Sequence, residues 1–261
     1  MFGTKAKQDE KLVGFGFFDQ STLPPWSKIF ENLNLLINST DLFSSAEIEI
    51  VSESDDQWIV MIGPHAGFLT QRYPNPMPSG VYSQFDESMQ MIEGHQTHIA
   101  VLGQAHKTPL ETVLVATAMT LAIQAINLSQ PMRSVLWSSS SCITGAQEWA
   151  KACNELIRMK TNPVHLWIQM HSRTESGSTD AATEGMGRMF GQSDIEIVGS
   201  ARDEDETKDI LTCAVLETIF RGPIHTQGSE WVTQTGVRYN AKRAHSIRNR
   251  KDKVVRLIEI V

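Results

Sequence analysis

Histidines are the residues of this sequence whose type and spacing come closest to a recognisable chemistry. His95 and His98 are separated by two residues, a spacing at which two imidazoles can ligate one metal ion. The flanking residues predict that His95 ends a helix and that His98 begins a strand, so the two rings would not share a helical face. A basic side chain at a helix end often satisfies free carbonyl groups. We therefore predict that both histidines are structural, with no metal and no cofactor bound.

The sequence lacks the common catalytic signatures, namely the Gly-x-Ser-x-Gly, P-loop, dinucleotide-binding and His-Glu-x-x-His patterns. The segment 63–80 contains four prolines, which predicts a long irregular loop, and loops of this length are often functional. Pro76 and Pro78 of this loop could line a cleft together with His95 and His98. An enzyme of unknown reaction that uses such a cleft is our second hypothesis.

Two short acidic runs are candidate surfaces for binding a basic partner. One run, Glu53-Ser54-Asp55-Asp56, separates two predicted strands. The other run, Asp203-Glu204-Asp205-Glu206, begins a predicted helix, where the helix dipole favours acidic side chains. A solvated turn and a charge cluster at a helix start are the alternative interpretations. The predicted partner-binding residues are Glu53, Asp55, Asp56, Asp203, Glu204, Asp205 and Glu206.

Charge is distributed unevenly along the chain. Residues 238–261 contain 8 Lys and Arg against 2 Asp and Glu, a net charge of +6, whereas residues 1–237 carry 15 against 28, a net charge of −13. The acidic body disfavours nucleic acid as a partner and would accelerate the encounter with a basic protein. The basic segment has only Tyr239 for base stacking, and it could instead fold back on the acidic body or form a solvated strand pair. A nucleic-acid-binding regulator is therefore our third hypothesis.

Composition limits the class of protein. A chain of 261 residues with 41% hydrophobic content can bury a large core without a disulfide or metal. Its three cysteines lack Cys-x-x-Cys spacing, and residues 1–11 lack the apolar run of a secretory signal. Residues 110–128 are nearly long enough to span a membrane, but polar side chains within them favour a buried helix. We therefore predict a cytoplasmic protein that does not contact a membrane.

The predicted elements indicate the fold class. Helices separated by strand pairs predict an α+β fold, with a mixed, mostly antiparallel sheet packed by helices. Thr108-Pro109-Leu110-Glu111 has the pattern of a capping box with a first-turn proline, which predicts a nearly all-apolar central helix around 109–128. Thr144 and Gln147 predict a second capping box. Arg221-Gly222-Pro223 predicts the end of the helix that begins near 203.

Periodicity also predicts the other elements and the domain organisation. A strand with alternating buried residues is predicted at 164–170, a hairpin at 47–62 and a short helix at 85–93. A single α+β domain is predicted over 1–235, followed by a basic C-terminal segment at 236–261 that ends in a strand.

Taken in order, several segments resemble the bacterial DUF4261 family, a domain of unknown function. The resemblance covers about 57–235, and it implies no catalytic residues, because none are established for that family. Members resemble proteins from toxin–immunity and secretion gene neighbourhoods, which implies a protein-binding role. The segments that carry the resemblance are Trp58–Ile62 with Pro76-Met77-Pro78, Met91–Leu102, Thr183–Val198 with its Gly185-Met186-Gly187-Arg188-Met189-Phe190-Gly191 core, and Gly222-Pro223-Ile224 with Gln227-Gly228.

The acidic body, the missing catalytic signatures and the family resemblance together favour one function. We expect a non-enzymatic, cytoplasmic protein-binding protein whose partner is a basic protein. A bacterial immunity protein that neutralises a toxin or a secretion-associated effector would be an example.

Overall fold

The chain divides between Trp167 and Ile168 into two compact units, which we call the N-terminal unit and the C-terminal unit. The structure, a computed structural model, describes residues 11–43, 47–63, 66–77, 90–104, 108–222, 224, 229–249 and 251–260. This division differs from the expected single domain over 1–235. Residues 236–261 are not a separate segment, because they supply two strands to the middle of the second sheet.

The N-terminal unit is built on a seven-stranded sheet with the order β2-β3-β4-β5-β1-β6-β7, and every neighbouring pair is antiparallel. The predicted hairpin is confirmed as β2 and β3. The strands of this seven-stranded sheet are β1 (Lys11–Phe18), β2 (Ile48–Glu53), β3 (Gln57–Ile62), β4 (Ala66–Tyr73), β5 (Thr97–Gln104), β6 (Ser134–Trp137) and β7 (Cys142–Gly145). Its helices are α1 (Trp26–Asn38), α2 (Pro109–Ser129), α3 (Ala146–Met159) and the short α4 (Val164–Trp167).

Helix α2 is the predicted central helix, and the structure confirms it. The Thr108 hydroxyl accepts a hydrogen bond from the Glu111 N–H, and Ala118, Leu121 and Ala122 are buried. The helix packs on β1, β4 and β5 and on the helices α1 and α3. Its length and apolar composition would also suit a membrane span, but 83% of that apolar stretch is buried inside the protein.

Two strand glycines allow this helix to approach the sheet closely. A Cβ atom at Gly14 in β1 would lie 2.6 Å from the Ile123 Cδ1, and one at Gly103 in β5 would lie 2.5 Å from the Val115 Cγ1. A larger residue at Gly103 would meet the stiff, β-branched Val115 and would have to push α2 away from the sheet, whereas one at Gly14 would have to displace the end of the Ile123 side chain. Gly14, which interrupts the apolar run of β1, is therefore a packing residue.

The C-terminal unit contains a six-stranded sheet with the order β11-β12-β13-β10-β9-β8, in which only the described pair β10–β13 is parallel. Helix α6 packs on β8, β9 and β10. The strands are β8 (Gln169–Glu175), β9 (Ser178–Glu184), β10 (Ile195–Ser200), β11 (Ser229–Val232), β12 (Arg238–His245) and β13 (Lys253–Glu259), and the helices are α5 (Met186–Phe190) and α6 (Glu204–Arg221). The expected terminal strand is confirmed as β13, and the two sheets with their helices confirm the α+β class.

Three local predictions were wrong. Segment 63–80 is not one irregular loop, because it contains β4, which pairs with both β3 and β5. Residues 164–167 form a helical turn, in which the Trp167 indole donates to the Thr120 hydroxyl. Thr144 does not cap α3, because it pairs with Val135 in the β6–β7 ladder and the helix begins after Gly145. The helix predicted at 85–93 lies mostly outside the described residues.

Candidate functional site

His95 is a structural residue of the N-terminal unit. Its Nδ1 lies 2.8 Å from the Ile92 carbonyl oxygen, and its Nε2 accepts a hydrogen bond of 2.8 Å from the Met77 N–H. These two contacts require the neutral ring with its proton on Nδ1. Burial lowers the pKa of His95, which favours the same neutral form. The ring therefore satisfies a turn carbonyl, as the sequence predicts.

His98 lies in β5 within an aromatic cluster. Its ring stacks on Tyr73 at 4.6 Å and lies 6.0 Å from the ring of Phe17. Burial, with a smaller contribution from His95, lowers the pKa of His98 to about 4. Only 2% of His95 and 5% of His98 is exposed, so neither ring can reach a substrate in a cleft.

The predicted cleft is therefore not formed by these histidines. Met77 is buried over His95, whereas Pro76 is exposed and Pro78 lies outside the described residues. Within the described ranges, no group of three or more His, Cys, Asp or Glu side chains is arranged to hold a metal ion.

The first acidic run forms the tip of the β2–β3 hairpin, and its backbone is held by donors from elsewhere in the N-terminal unit. The Trp26 indole donates to the Ser54 carbonyl at 2.8 Å. Arg72 donates from its guanidinium to the Asp55 carbonyl at 3.0 Å and from its backbone N–H to the Asp56 carbonyl at 2.8 Å. The hairpin closes through a bond of 2.8 Å from the Ser54 N–H to the Gln57 carbonyl. The main-chain carbonyls of the tip are therefore held in place, and none of these bonds uses an acidic side chain of the run.

The carboxylates of the tip remain available for another molecule. Glu53, Asp55 and Asp56 are exposed, and no described residue donates a hydrogen bond to their side chains. Arg72 is the nearby cation. It lies 3.6 Å from the ring centroid of Trp26, burial lowers its pKa, and the three acids oppose that shift. Three exposed negative charges thus surround one partly buried positive charge.

The adjoining strand β2 adds exposed apolar surface to the same region. It lies at the edge of the sheet, and Ile50 and Val51 are 39% and 54% exposed. Val51 is the extra residue of a bulge, because Ile50 pairs with Val60 and Ser52 pairs with Ile59. We call Glu49–Asp56 the acidic edge.

The second acidic run lies in the C-terminal unit and has mostly internal partners. Asp203 caps α6 by accepting a bond of 2.8 Å from the Glu206 N–H. Glu204 accepts a bond of 3.0 Å from the Ser172 hydroxyl and pairs with Lys208. Glu206 pairs with Arg202. Only Asp205 of this run has no partner among the described residues.

The structure also shows a polar groove in the C-terminal unit that the sequence interpretation missed. The groove has a volume of about 470 Å³. Its wall is the β9–α5–β10 segment, and the turn after β12 lies opposite. Gly185 and Gly191, which flank α5, both have positive φ and so permit this short connection. The charged residues that line the groove are Glu184, Arg188, Asp194, Glu196, Arg248 and Asp252.

One of these carboxylates, Glu196, is buried, and Asp194 is partly buried. Glu196 is 1% exposed and accepts hydrogen bonds from the Ser246 hydroxyl, the Ile247 N–H at 3.1 Å and the Arg256 guanidinium at 3.0 Å. Asp194 Oδ1 accepts from the Thr183 hydroxyl at 3.0 Å and from the Met186 N–H at 3.1 Å. Burial raises the pKa of Asp194 to about 6. Glu196 is thus paired with a cation, whereas Asp194 has only neutral donors.

The basic C-terminal segment is part of the C-terminal unit's own ion pairs. Arg248 pairs with Glu184 at 3.2 Å, Arg256 pairs with Glu196, and Arg238 pairs with Glu230. Strands β12 and β13 form an antiparallel pair. The segment thus pairs with acids of the preceding chain, as the first alternative predicts, but its strand pair is not solvated, because β12 and β13 lie inside the sheet and bury Tyr239, Ala241 and Leu257.

One sequence signal did point to the groove. The glycine-rich segment Thr183–Val198, singled out for its resemblance to DUF4261, forms the groove wall. Arg248 and Asp252 could not be linked to it, because they lie about fifty residues further along the chain. In comparisons with known proteins, no family model, curated protein or solved structure matches this chain.

Proposed function

We propose that this chain is a protein-binding protein that docks a basic partner on the acidic edge of its N-terminal unit. The supporting observation is the hairpin tip, whose backbone is fixed by Trp26 and Arg72 while its carboxylates are exposed. A surface held rigid before binding loses little conformational entropy when it docks. The resemblance to DUF4261 favours an immunity protein that covers a toxin or secretion-associated effector.

Charge and apolar contacts should have separable effects on such a complex. The exposed carboxylates attract a basic partner over a distance and therefore act mainly on the association rate. Ile50 and Val51 contribute contact area only after docking and therefore act mainly on the dissociation rate. The unpaired edge of β2 also offers main-chain groups to an added strand.

The enzyme hypothesis has less support than protein binding. Its cleft requires accessible histidines, and both rings are buried among aromatic side chains. The acidic edge needs no rearrangement to meet a protein surface.

The test is stopped-flow binding to the product of an adjacent gene, measured at low salt and near 1 M salt. The triple variant E53Q/D55N/D56N should associate at least about tenfold more slowly at low salt, and wild type should lose a similar factor at high salt. The matched control is E31Q/E148Q/E155Q, which removes three exposed charges from helices of the same unit. It should change association by less than about twofold.

A second pair of variants tests the apolar contacts. I50S and V51S should leave association nearly unchanged and raise the dissociation rate about fivefold or more. Equal slowing by the tip variant and by its control would show that overall charge, and not the acidic edge, drives binding. Binding unaffected by salt and by all of these changes would refute the proposal.

A further inference from the structure

The polar groove of the C-terminal unit has an excess of negative charge. Its lining contains four carboxylates, from Glu184, Asp194, Glu196 and Asp252, and two guanidinium groups, from Arg188 and Arg248. Several of these groups already have partners. Arg248 pairs with Glu184, and the Asn249 amide donates to Asp252 at 2.9 Å. Glu196 is neutralised by Arg256, which stands outside the lining.

Asp194 and Asp252 are the carboxylates that these contacts leave without a paired cation, and of the two only Asp194 is partly buried. The two described donors to Asp194, the Thr183 hydroxyl and the Met186 N–H, both bind Oδ1. No described residue donates to Oδ2, which is not among the buried atoms without a partner, and Asp194 lines the groove. A partly buried carboxylate with one unpaired oxygen favours a positively charged hydrogen-bond donor at that position.

The size and the donor arrangement of the groove limit the class of cation. A volume of about 470 Å³ is far larger than a metal ion needs. The described carboxylates are also not grouped as a metal-ligand set. An anion would face the excess of carboxylates, with one of the two lining guanidiniums already paired. An organic cation fits both the charge and the space.

We propose that this groove binds an organic cation, an alkylammonium or guanidinium group, whose donor hydrogen-bonds to the Oδ2 of Asp194. The cation can belong to a small molecule or to a basic side chain of a protein. This site is separate from the acidic edge and does not rest on the proposed protein-binding function. The segment Thr183–Val198 then has a specific role, because it supplies Asp194 and the groove wall around it.

The test is titration of the ¹⁵N-labelled full chain with two probes, agmatine and N-acetyl-arginine methylamide. The uncharged citrulline analogue serves as the ligand control. Saturable shifts of the Gly185, Gly187 and Asn249 amides should report binding with a Kd on the order of 1 mM. Tighter binding of agmatine would assign the site to a free small-molecule cation, and tighter binding of the capped arginine would assign it to a protein side chain.

Two variants with opposite expected effects make the test specific. D194N should weaken binding about tenfold or more, because it removes the charged acceptor. R188A removes an exposed competing cation and should strengthen binding about twofold to threefold. D205N, an exposed Asp→Asn change at the start of α6, is the matched control and should have no effect.

A folding defect in D194N could not explain both results, because R188A changes only an exposed side chain and is expected to strengthen binding. The proposal fails if wild type shows no saturable shifts in the groove. It also fails if D194N binds as wild type does, or if R188A weakens binding, which would indicate an anion site. Equal binding of the citrulline analogue would exclude recognition of charge.

Discussion

The two acidic runs have nearly the same composition, yet the two units use them in opposite ways. At the β2–β3 tip, donors from Trp26 and Arg72 bind the main-chain carbonyls and leave the carboxylates exposed. At the start of α6, the carboxylates themselves accept the hydrogen bonds, including the one that the Glu206 N–H donates to Asp203. In this protein, the acidic run whose backbone is satisfied by other groups is the one that keeps its carboxylates exposed.

The difference has a local cause. A helix start leaves N–H groups without partners inside the helix, so nearby acids are recruited as caps. A hairpin turn instead presents carbonyl groups, which an acidic side chain cannot satisfy. The tip therefore needed donors from distant residues, and its carboxylates stayed free.

The same contrast extends to the titratable groups buried in each unit. The N-terminal unit buries the imidazoles of His95 and His98 in environments that favour their neutral forms. The C-terminal unit buries the Glu196 carboxylate and holds Asp194 partly buried, with its pKa raised. The first arrangement resists protonation of the imidazoles, and the second resists ionisation of Asp194.

The largest expected effect is the loss of the buried ion pair in the C-terminal unit. E196A removes the acceptor for Ser246, Ile247 and Arg256, and it leaves the Arg256 guanidinium without its carboxylate. We expect a loss of about 3 kcal/mol in the free energy of unfolding. Urea unfolding followed by amide signals of the C-terminal unit measures it. E53A at the hairpin tip is the control and should change stability by less than about 0.5 kcal/mol.

Asp194 should make the C-terminal unit less stable as pH rises. Its pKa is about 6 in the folded protein and 3.8 in the unfolded chain, so the native state holds the extra proton between those values. The stabilisation is complete below pH 3.8 and is lost as pH rises through 6. The charged groups that act on it are Glu184 and Arg188.

The variant D194N does not titrate at this position. Relative to D194N, wild type should lose about 2 to 3 kcal/mol of its free energy of unfolding as the pH rises from below 3.8 to above 6. Urea unfolding at several pH values measures the difference. If the free energies of unfolding of the two proteins changed with pH in the same way, the pKa of Asp194 would not be raised in the folded protein.

His98 should give the N-terminal unit the opposite pH dependence. Its pKa is about 4 in the folded protein and 6.5 in the unfolded chain, so between those values only the unfolded chain binds the proton. The stability present above pH 6.5 is lost as pH falls through 4. The nearby titratable group that adds to this effect is His95.

H98F keeps an aromatic ring against Tyr73 and cannot titrate. Between pH 6.5 and 4, wild type should lose about 1 to 2 kcal/mol relative to this variant. The two proteins are compared by the slope of their free energy of unfolding against pH, because the H98F substitution also changes stability by an amount that does not depend on pH. If the stability of wild type fell with pH no more steeply than that of H98F, His98 would be protonated in the folded protein as readily as in the unfolded chain.

Local chemistry was sufficient to predict several elements. The cap at Thr108 and the helix start near 203 depend on residues within four positions of each helix start, and both were confirmed. Strand β4 was missed because prolines on either side suggested a loop. Its own alternation of buried Ala66, Phe68 and Thr70 is the period-two signal that could have revealed it.

Tertiary contacts overrode the local pattern elsewhere. The alternation at 164–170 predicted a strand, but Leu166 and Trp167 are both fully buried, and the Trp167 indole bonds to Thr120. The groove depends on residues from β9, β10 and the turn after β12, and no local spacing connects them. Sequence reasoning found the segment Thr183–Val198 but could not identify what it faces.

The smallest expected effect compares single acids from the two runs. D203A removes the side-chain acceptor of the Glu206 N–H and should lower the free energy of unfolding by about 1 kcal/mol, the usual cost of losing an N-cap. D203N can still cap the helix and should recover most of that stability. D55A removes a carboxylate that accepts no described hydrogen bond, so its stability should stay within about 0.5 kcal/mol of wild type. Urea unfolding of the three variants at pH 7 tests this difference. If D55A were as destabilising as D203A, the tip carboxylates would be structural and would not be free to dock a partner, which would contradict the proposed role of the acidic edge.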